Sequence, residues 1–234
     1  MENTYGYIEE NLARVRSNLE AAAKRGGNKT PKLLAVTKSA TDEEVRALLS
    51  FGVEAIGENR AQLFKERLSI VCEMQKDTEV HLIGSLQTNK VKYVVGSASL
   101  VQSLDSEKLA AEIERLGEKR GVTVPVLIEV NSGREEAKGG LMPEEVLPFI
   151  RSLRALPHVA PVGLMTMGPD CDDPEDYRPY FRLTRALWEE ARQEGLFAAE
   201  EPILSMGMSH SYEVAAEEGS TLVRVGRTLF EKKN

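Results

Sequence analysis

The chain has 234 residues, 41% hydrophobic and 29% charged, enough apolar material for one sizeable core. A formal net charge of −7 argues against general binding to phosphate backbones, and Cys72 and Cys171 sit in no CxxC or metal-ligand spacing, which fits a reducing cytoplasm. Met1–Glu10 carries acids and no apolar h-region, and no apolar run approaches about 18 residues, so neither a secretory signal nor a membrane span is expected.

Residues 5–25 predict a helix, with Ile8, Leu12, Val15 and Leu19 on one face and Gly26-Gly27-Asn28 as its stop. Short apolar runs then follow at 33–36, 53–56, 80–83, 100–102, 124–130, 161–165, 203–206 and 222–225. Helical patterns separate them at 42–51, 59–71, 88–95, 106–119, 143–154, 174–194 and 211–218. Thr41 ahead of Asp42-Glu43-Glu44 makes a capping box, and Pro143-Glu144-Glu145 places proline and acids in a first turn. Apolar runs without polar alternation suit parallel strands buried on both faces. Eight of them alternating with helices predict one α/β domain over residues 1–234, a (β/α)8 barrel of the TIM type with an extra N-terminal helix. An open doubly wound sheet would place a Gly-rich turn after the first strand, where Thr37-Lys38-Ser39-Ala40 stands instead.

Function in such a barrel gathers on the loops that follow the strands. Here those tips are small and polar, and poor in paired carboxylates or histidine clusters. Lys38 closes the first apolar run. There, desolvation would free its amine as a nucleophile, or the side chain would snorkel into water. Ser205-Met206-Gly207-Met208-Ser209 and Arg224-Val225-Gly226-Arg227-Thr228 follow strands seven and eight, the pair that recurrently holds a phosphate. Glycines allow close backbone approach, and Ser209 offers a hydroxyl. An amine nucleophile facing a phosphate site suits a Schiff-base aldolase on a sugar phosphate, or pyridoxal 5′-phosphate (PLP). Lys90 and Lys138 are further lysines on these loops, Lys138 within a stretch of mixed charge, and neither closes an apolar strand.

The runs LLAVTK (33–38), FGVEAIGENRAQ (51–62), HLIGSLQTNK (81–90), SMGMS (205–209) and GSTLVRVGRTLF (219–230) resemble, in order, the pyridoxal-phosphate homeostasis protein family. That family resembles the barrel domain of bacterial alanine racemase without its second, β-rich domain. The resemblance implies that Lys38 carries PLP as a Schiff base, with Asn59 beside the ring oxygen and Met167 against the pyridine face. It implies Ser209 and the backbone N–H groups around Gly226 and Arg227 on the phosphate, and Arg224 facing the pyridine nitrogen. A guanidinium cannot take up a proton, so the ring nitrogen would stay neutral and carbanion stabilisation weak. The other reading of Arg224 is a barrel-interior charge paired with a neighbouring carboxylate. Two departures stand out: Ser211 where the family often has aspartate, and Glu231 where it often has glycine.

The resemblance further implies intracellular PLP homeostasis or carriage without strong catalysis, apo-PLP enzymes as recipients, and a monomer or weak dimer. The alternatives are a PLP-dependent amino-acid racemase and, third, the aldolase. A two-base racemase needs a second base facing the lysine. Tyr212 is the tyrosine nearest the expected mouth. His81 and His158 are expected at the opposite end, and His210 at the mouth, solvated or near the phosphate.

Overall fold

In the computed structural model, which describes residues 4–232, the spacing of Ile8, Leu12, Val15 and Leu19 buries one face of helix α1 (Gly6–Arg25). The remaining three N-terminal residues of the Met1–Glu10 segment lie outside the described part. Strands β1 (Lys32–Val36), β2 (Ala55–Glu58), β3 (Glu79–Leu82), β4 (Leu100–Leu104), β5 (Val124–Val130), β6 (Val159–Thr166), β7 (Ile203–Ser205) and β8 (Leu222–Val225) follow. Each pairs in parallel with the next, and β8 returns to β1 with Ala35 opposite Val225, closing the expected eight-stranded barrel.

Between strands run α2 (Asp42–Ser50), α3 (Ala61–Glu73), α4 (Glu107–Arg120), α5 (Pro143–Ser152), α6 (Arg178–Gln193) and α7 (Tyr212–Glu217), and α8 (Arg227–Phe230) follows β8. The capping box of α2 is formed: Glu44 N–H donates to Thr41 Oγ1 at 3.2 Å, and Thr41 N–H to Glu44 Oε2 at 2.9 Å. The segment expected as a helix over 88–95 is a 3-10 turn, Thr88–Tyr93, and the four-residue α8 was not expected at all.

Strand residues alternate between two environments. Leu33, Ala35, Ile56, Val80, Val126, Leu204 and Val223 join the large core between barrel and helices. Leu34, Val36, Ala55 and Leu222 pack together separately, as do Leu100, Leu127 and Met165, and these fill the barrel axis. α7 has six residues and α8 four, too little to cover β8 and β1. α1 packs against both and supplies the missing cover. Its Asn11 donates from Nδ2 to the carbonyls of Leu229 (3.2 Å) and Glu231 (2.9 Å). Among the described residues no helix is long and apolar enough to cross a membrane.

Candidate functional site

β1 ends at Val36, and its ladder is prolonged by Thr37 N–H donating to the Gly57 carbonyl at 3.1 Å. Strand phase sends Thr37 outward, and Lys38 opens the turn beyond it. Thr37 Oγ1 donates a short hydrogen bond to Glu58 Oε1, and Arg67 Nε of α3 donates to the same oxygen at 3.3 Å. Arg67 also reaches the Ala40 carbonyl (Nη2, 2.7 Å) and the Asp42 carboxylate. Ala40 N–H donates to the Thr37 carbonyl at 3.0 Å, closing the turn that carries Lys38. Glu58 and Arg67, both buried, thus clamp the lysine's turn from both sides. Burial pushes the Glu58 carboxyl up, opposed by Thr37 and Arg67; its Oε2 has no partner among the described residues. Lys38 itself is exposed, as in the solvated one of the two readings left open for a strand-end lysine. The physical reason is that the strand stops two residues earlier and the turn opens to solvent.

The loops after β7 and β8 meet. Gly226 N–H donates to Ser209 Oγ at 3.2 Å. A methyl group on Gly226 would lie 3.0 Å from the Val36 carbonyl oxygen, so this backbone sits directly against the end of β1, two residues from Lys38. Gly207 has φ +86°, and a methyl there would lie 2.5 Å from Ala215 Cβ; only glycine fits that left-handed corner. Ser211, standing where aspartate was expected, supports the turn by accepting from Met208 N–H at 3.3 Å. Arg227 is exposed and opens α8.

Arg224 is 3% exposed, inside the barrel. Nη1 donates to Ser205 Oγ at 2.6 Å and Nη2 to the Thr166 carbonyl at 2.8 Å. Both of these hydrogen-bond acceptors are neutral, unlike the carboxylate partner of the alternative reading. Burial lowers its guanidinium to about 10, and Glu129 opposes that shift from further off. The group is still a cation at neutral pH. Met167 follows Thr166 directly and, at 37% exposed, is the one large hydrophobic residue open to solvent among those described. It lines a hollow with Glu129, Asn131, Ser132, Lys138 and Gly139. Asn59 is half-buried just beyond β2; its backbone is packed on Gly84, where a methyl would lie 2.3 Å from the Asn59 carbonyl oxygen.

All seven residues expected at a site therefore lie at the carboxyl-terminal end of the barrel. Sequence reasoning missed the carboxylates there. A methyl on Gly139 would lie 3.5 Å from Asp105 Oδ2 and 3.8 Å from both Glu129 oxygens. Burial, then the Asp105 charge, pushes the Glu129 carboxyl up to about 7, against the pull of Arg224. It also missed the Glu58–Arg67 clamp, since Arg67 shows only as one charge on an amphipathic helix.

The remaining candidates sort by their contacts. Lys138 pairs with Glu135 at 2.7 Å, and Lys90 lies 5.8 Å from the Tyr93 ring centre. His210 is exposed, and its Nε2 donates to the Asp172 carbonyl in the β6–α6 loop at 2.8 Å. Tyr212 is buried under α1, its hydroxyl accepting from Asn18 Nδ2 at 3.0 Å, so it faces away from the mouth. His158 pairs with Glu114 at 2.8 Å. His81 lies inside the barrel and is bonded at both ring nitrogens.

Residues 11–233 match the family described as alanine racemase, N-terminal domain. The pyridoxal phosphate homeostasis protein of Aquifex aeolicus (strain VF5) is 43% identical over 226 residues, covering 96% of this chain and 97% of that one. A solved structure of a protein from Bifidobacterium adolescentis is 32% identical and superposes with a TM-score of 0.90, over 98% of this chain and 97% of that one. The structure of PipY from Synechococcus elongatus PCC7942 with PLP bound is 28% identical, with a TM-score of 0.81 over 96% of this chain and 100% of that one.

Proposed function

The chain belongs to the pyridoxal phosphate homeostasis protein family, and we propose that it binds PLP at the barrel mouth as a Schiff base on Lys38, holding the cofactor for intracellular supply instead of strong catalysis. The observation that carries this reading is the meeting of the Ser209–Gly226 cradle with the end of β1. It brings a hydroxyl and a glycine backbone close to the turn of the exposed amine. A phosphate and an aldehyde on one ring would need such a pair of sites. PipY, which this chain matches in fold over nearly its whole length, is described with PLP bound.

The residues present fit the group. Ser209 and the backbone at Gly226 and Arg227 would hold the phosphate, and Asn59 the ring oxygen. Met167 would cover a ring face and lose its exposure, and Arg224 would face the ring nitrogen. When bound, the cofactor supplies an electrophilic aldehyde and a conjugated ring able to delocalise negative charge. Arg224, cationic and donor-only, keeps a proton off the ring nitrogen and so weakens that delocalisation. Tyr212, the candidate second base of a racemase, is held by Asn18 under α1, which supports carriage over racemisation. A cytoplasmic location, with apo-PLP enzymes as recipients, belongs to the same proposal, and the two free cysteines agree with it. Titration of the protein with PLP, followed by incubation with L- or D-alanine, tests the reading. It predicts saturable visible absorbance and no interconversion of the enantiomers. Interconversion at enzymatic rates would make it a racemase, and no saturable band would remove PLP.

A further inference from the structure

A polar chain crosses the barrel axis beneath the mouth. Arg224 Nη1 meets Ser205 Oγ at 2.6 Å, Ser205 Oγ meets Gln102 Oε1 at 2.8 Å, and Gln102 Nε2 meets His81 Nδ1 at 3.0 Å. His81 Nε2 then meets Glu79 Oε2 at 2.9 Å, and the Glu79 carboxylate pairs with Lys32 at 2.8 Å. The links come from β8, β7, β4, β3 and β1, five strands of the barrel.

The proton positions along this chain follow from its first member. A guanidinium only donates, so Ser205 Oγ must accept there. The serine's own proton then goes to Gln102 Oε1, which leaves the amide nitrogen facing His81. His81 Nδ1 accepts, so its proton sits on Nε2 and points at Glu79. Every bond donates in one direction, from the mouth to the far end of the barrel. The bond from His81, with help from Lys32, holds the Glu79 carboxyl at about 2, so the terminal acceptor is an anion. His81, Gln102, Ser205 and Arg224 are all buried, where an apolar filling would avoid the desolvation of four polar groups.

We propose that Gln102 and His81 are positioning residues for the cofactor: they orient the Ser205 hydroxyl so that it accepts from Arg224, and so aim the guanidinium at the PLP ring nitrogen. The inference rests on the PLP reading above. The hydrogen bonds that hold Arg224 go to two neutral acceptors, Ser205 Oγ and the Thr166 carbonyl. Without Gln102 the serine proton loses its fixed acceptor, and the hydroxyl can turn its proton toward Arg224.

The test compares wild type, Gln102→Met, Ser205→Ala and Arg224→Met, each titrated with PLP labelled with 15N in the ring. The readouts are the dissociation constant and the ring-nitrogen resonance of the bound cofactor. Gln102→Met is expected to move the resonance in the same direction as Arg224→Met and to raise the dissociation constant about threefold to tenfold, the scale of one neutral hydrogen bond. Ser205→Ala, a smaller change in volume, is expected to do the same and serves if Gln102→Met does not fold. A purely structural relay would lower thermal stability and leave the resonance in place. A resonance moved by Arg224→Met but unmoved by both relay variants overturns the relay alone. A resonance unmoved by Arg224→Met overturns the placement of Arg224, and the relay with it. Absence of PLP binding to wild type removes the underlying reading itself.

Discussion

Replacing Glu129 with glutamine should stabilise the protein, and by an amount that depends on pH. The carboxyl rises from an ordinary 4.5 to about 7 in the fold, first through burial and then through Asp105, with Arg224 opposing. Between those values the folded state binds the proton that the unfolded state has released. The stability Glu129 contributes is therefore fully present below pH 4.5 and is lost as pH rises through about 7. At about 1.4 kcal/mol per pH unit, the whole interval corresponds to a loss of about 3 kcal/mol by pH 8. Glutamine keeps the shape and carries no charge to desolvate. Glu129→Gln should match wild type at pH 4.5 and exceed it by up to about 3 kcal/mol at pH 8, or several degrees in Tm for a chain of this size. Urea midpoints measured across that range give the difference directly. A variant with the same advantage at both ends, or one less stable at pH 8, would refute the account of this carboxylate.

Arg67→Met removes the cation from the clamp and leaves Glu58 buried without it. A loss of about 3–5 kcal/mol is expected for such a broken pair, and PLP affinity should fall because the Lys38 turn loosens. Glu58→Gln combined with Arg67→Met should recover part of that stability, as denaturant midpoints will report. Ser209→Ala should raise the dissociation constant for PLP about tenfold to a hundredfold, the range for a hydrogen bond to a charged group, while leaving pyridoxal, which lacks the phosphate, unaffected. Equal losses for both ligands, read by visible titration, would place Ser209 away from the phosphate.

The barrel was legible because its outer strand faces and its helices obey simple periods. β5 and β8 fall where the apolar runs predict them, and the Thr41 cap holds as written. β2 was misplaced by two residues, at 53–56 instead of Ala55–Glu58. Its second half is Gly57-Glu58, which reads as loop. In the fold, Gly57 faces Leu34, where a methyl would lie 2.4 Å from Leu34 Cδ2, and Glu58 turns outward to Thr37 and Arg67. Both reasons are tertiary. The same holds for the relay: His81, Gln102 and Ser205 are single polar residues in apolar runs, and Ser205 lies 103 residues from the glutamine it bonds. Local patterning carries no trace of such pairings. Motif recognition brought Lys38, Asn59, Met167, Ser209, Arg224, Gly226 and Arg227 to one end of the barrel, but it could not reveal that Lys38 would be exposed or Tyr212 turned to α1.

The central claim is that Lys38 holds PLP. Borohydride reduction of the PLP-loaded protein, followed by peptide mapping by mass spectrometry, tests it most directly. The account predicts a single pyridoxyl adduct, on Lys38, and none in Lys38→Ala treated alike. An adduct carried mainly by Lys90 or Lys138 would contradict the site while keeping the ligand, and no adduct on any lysine would contradict the claim outright.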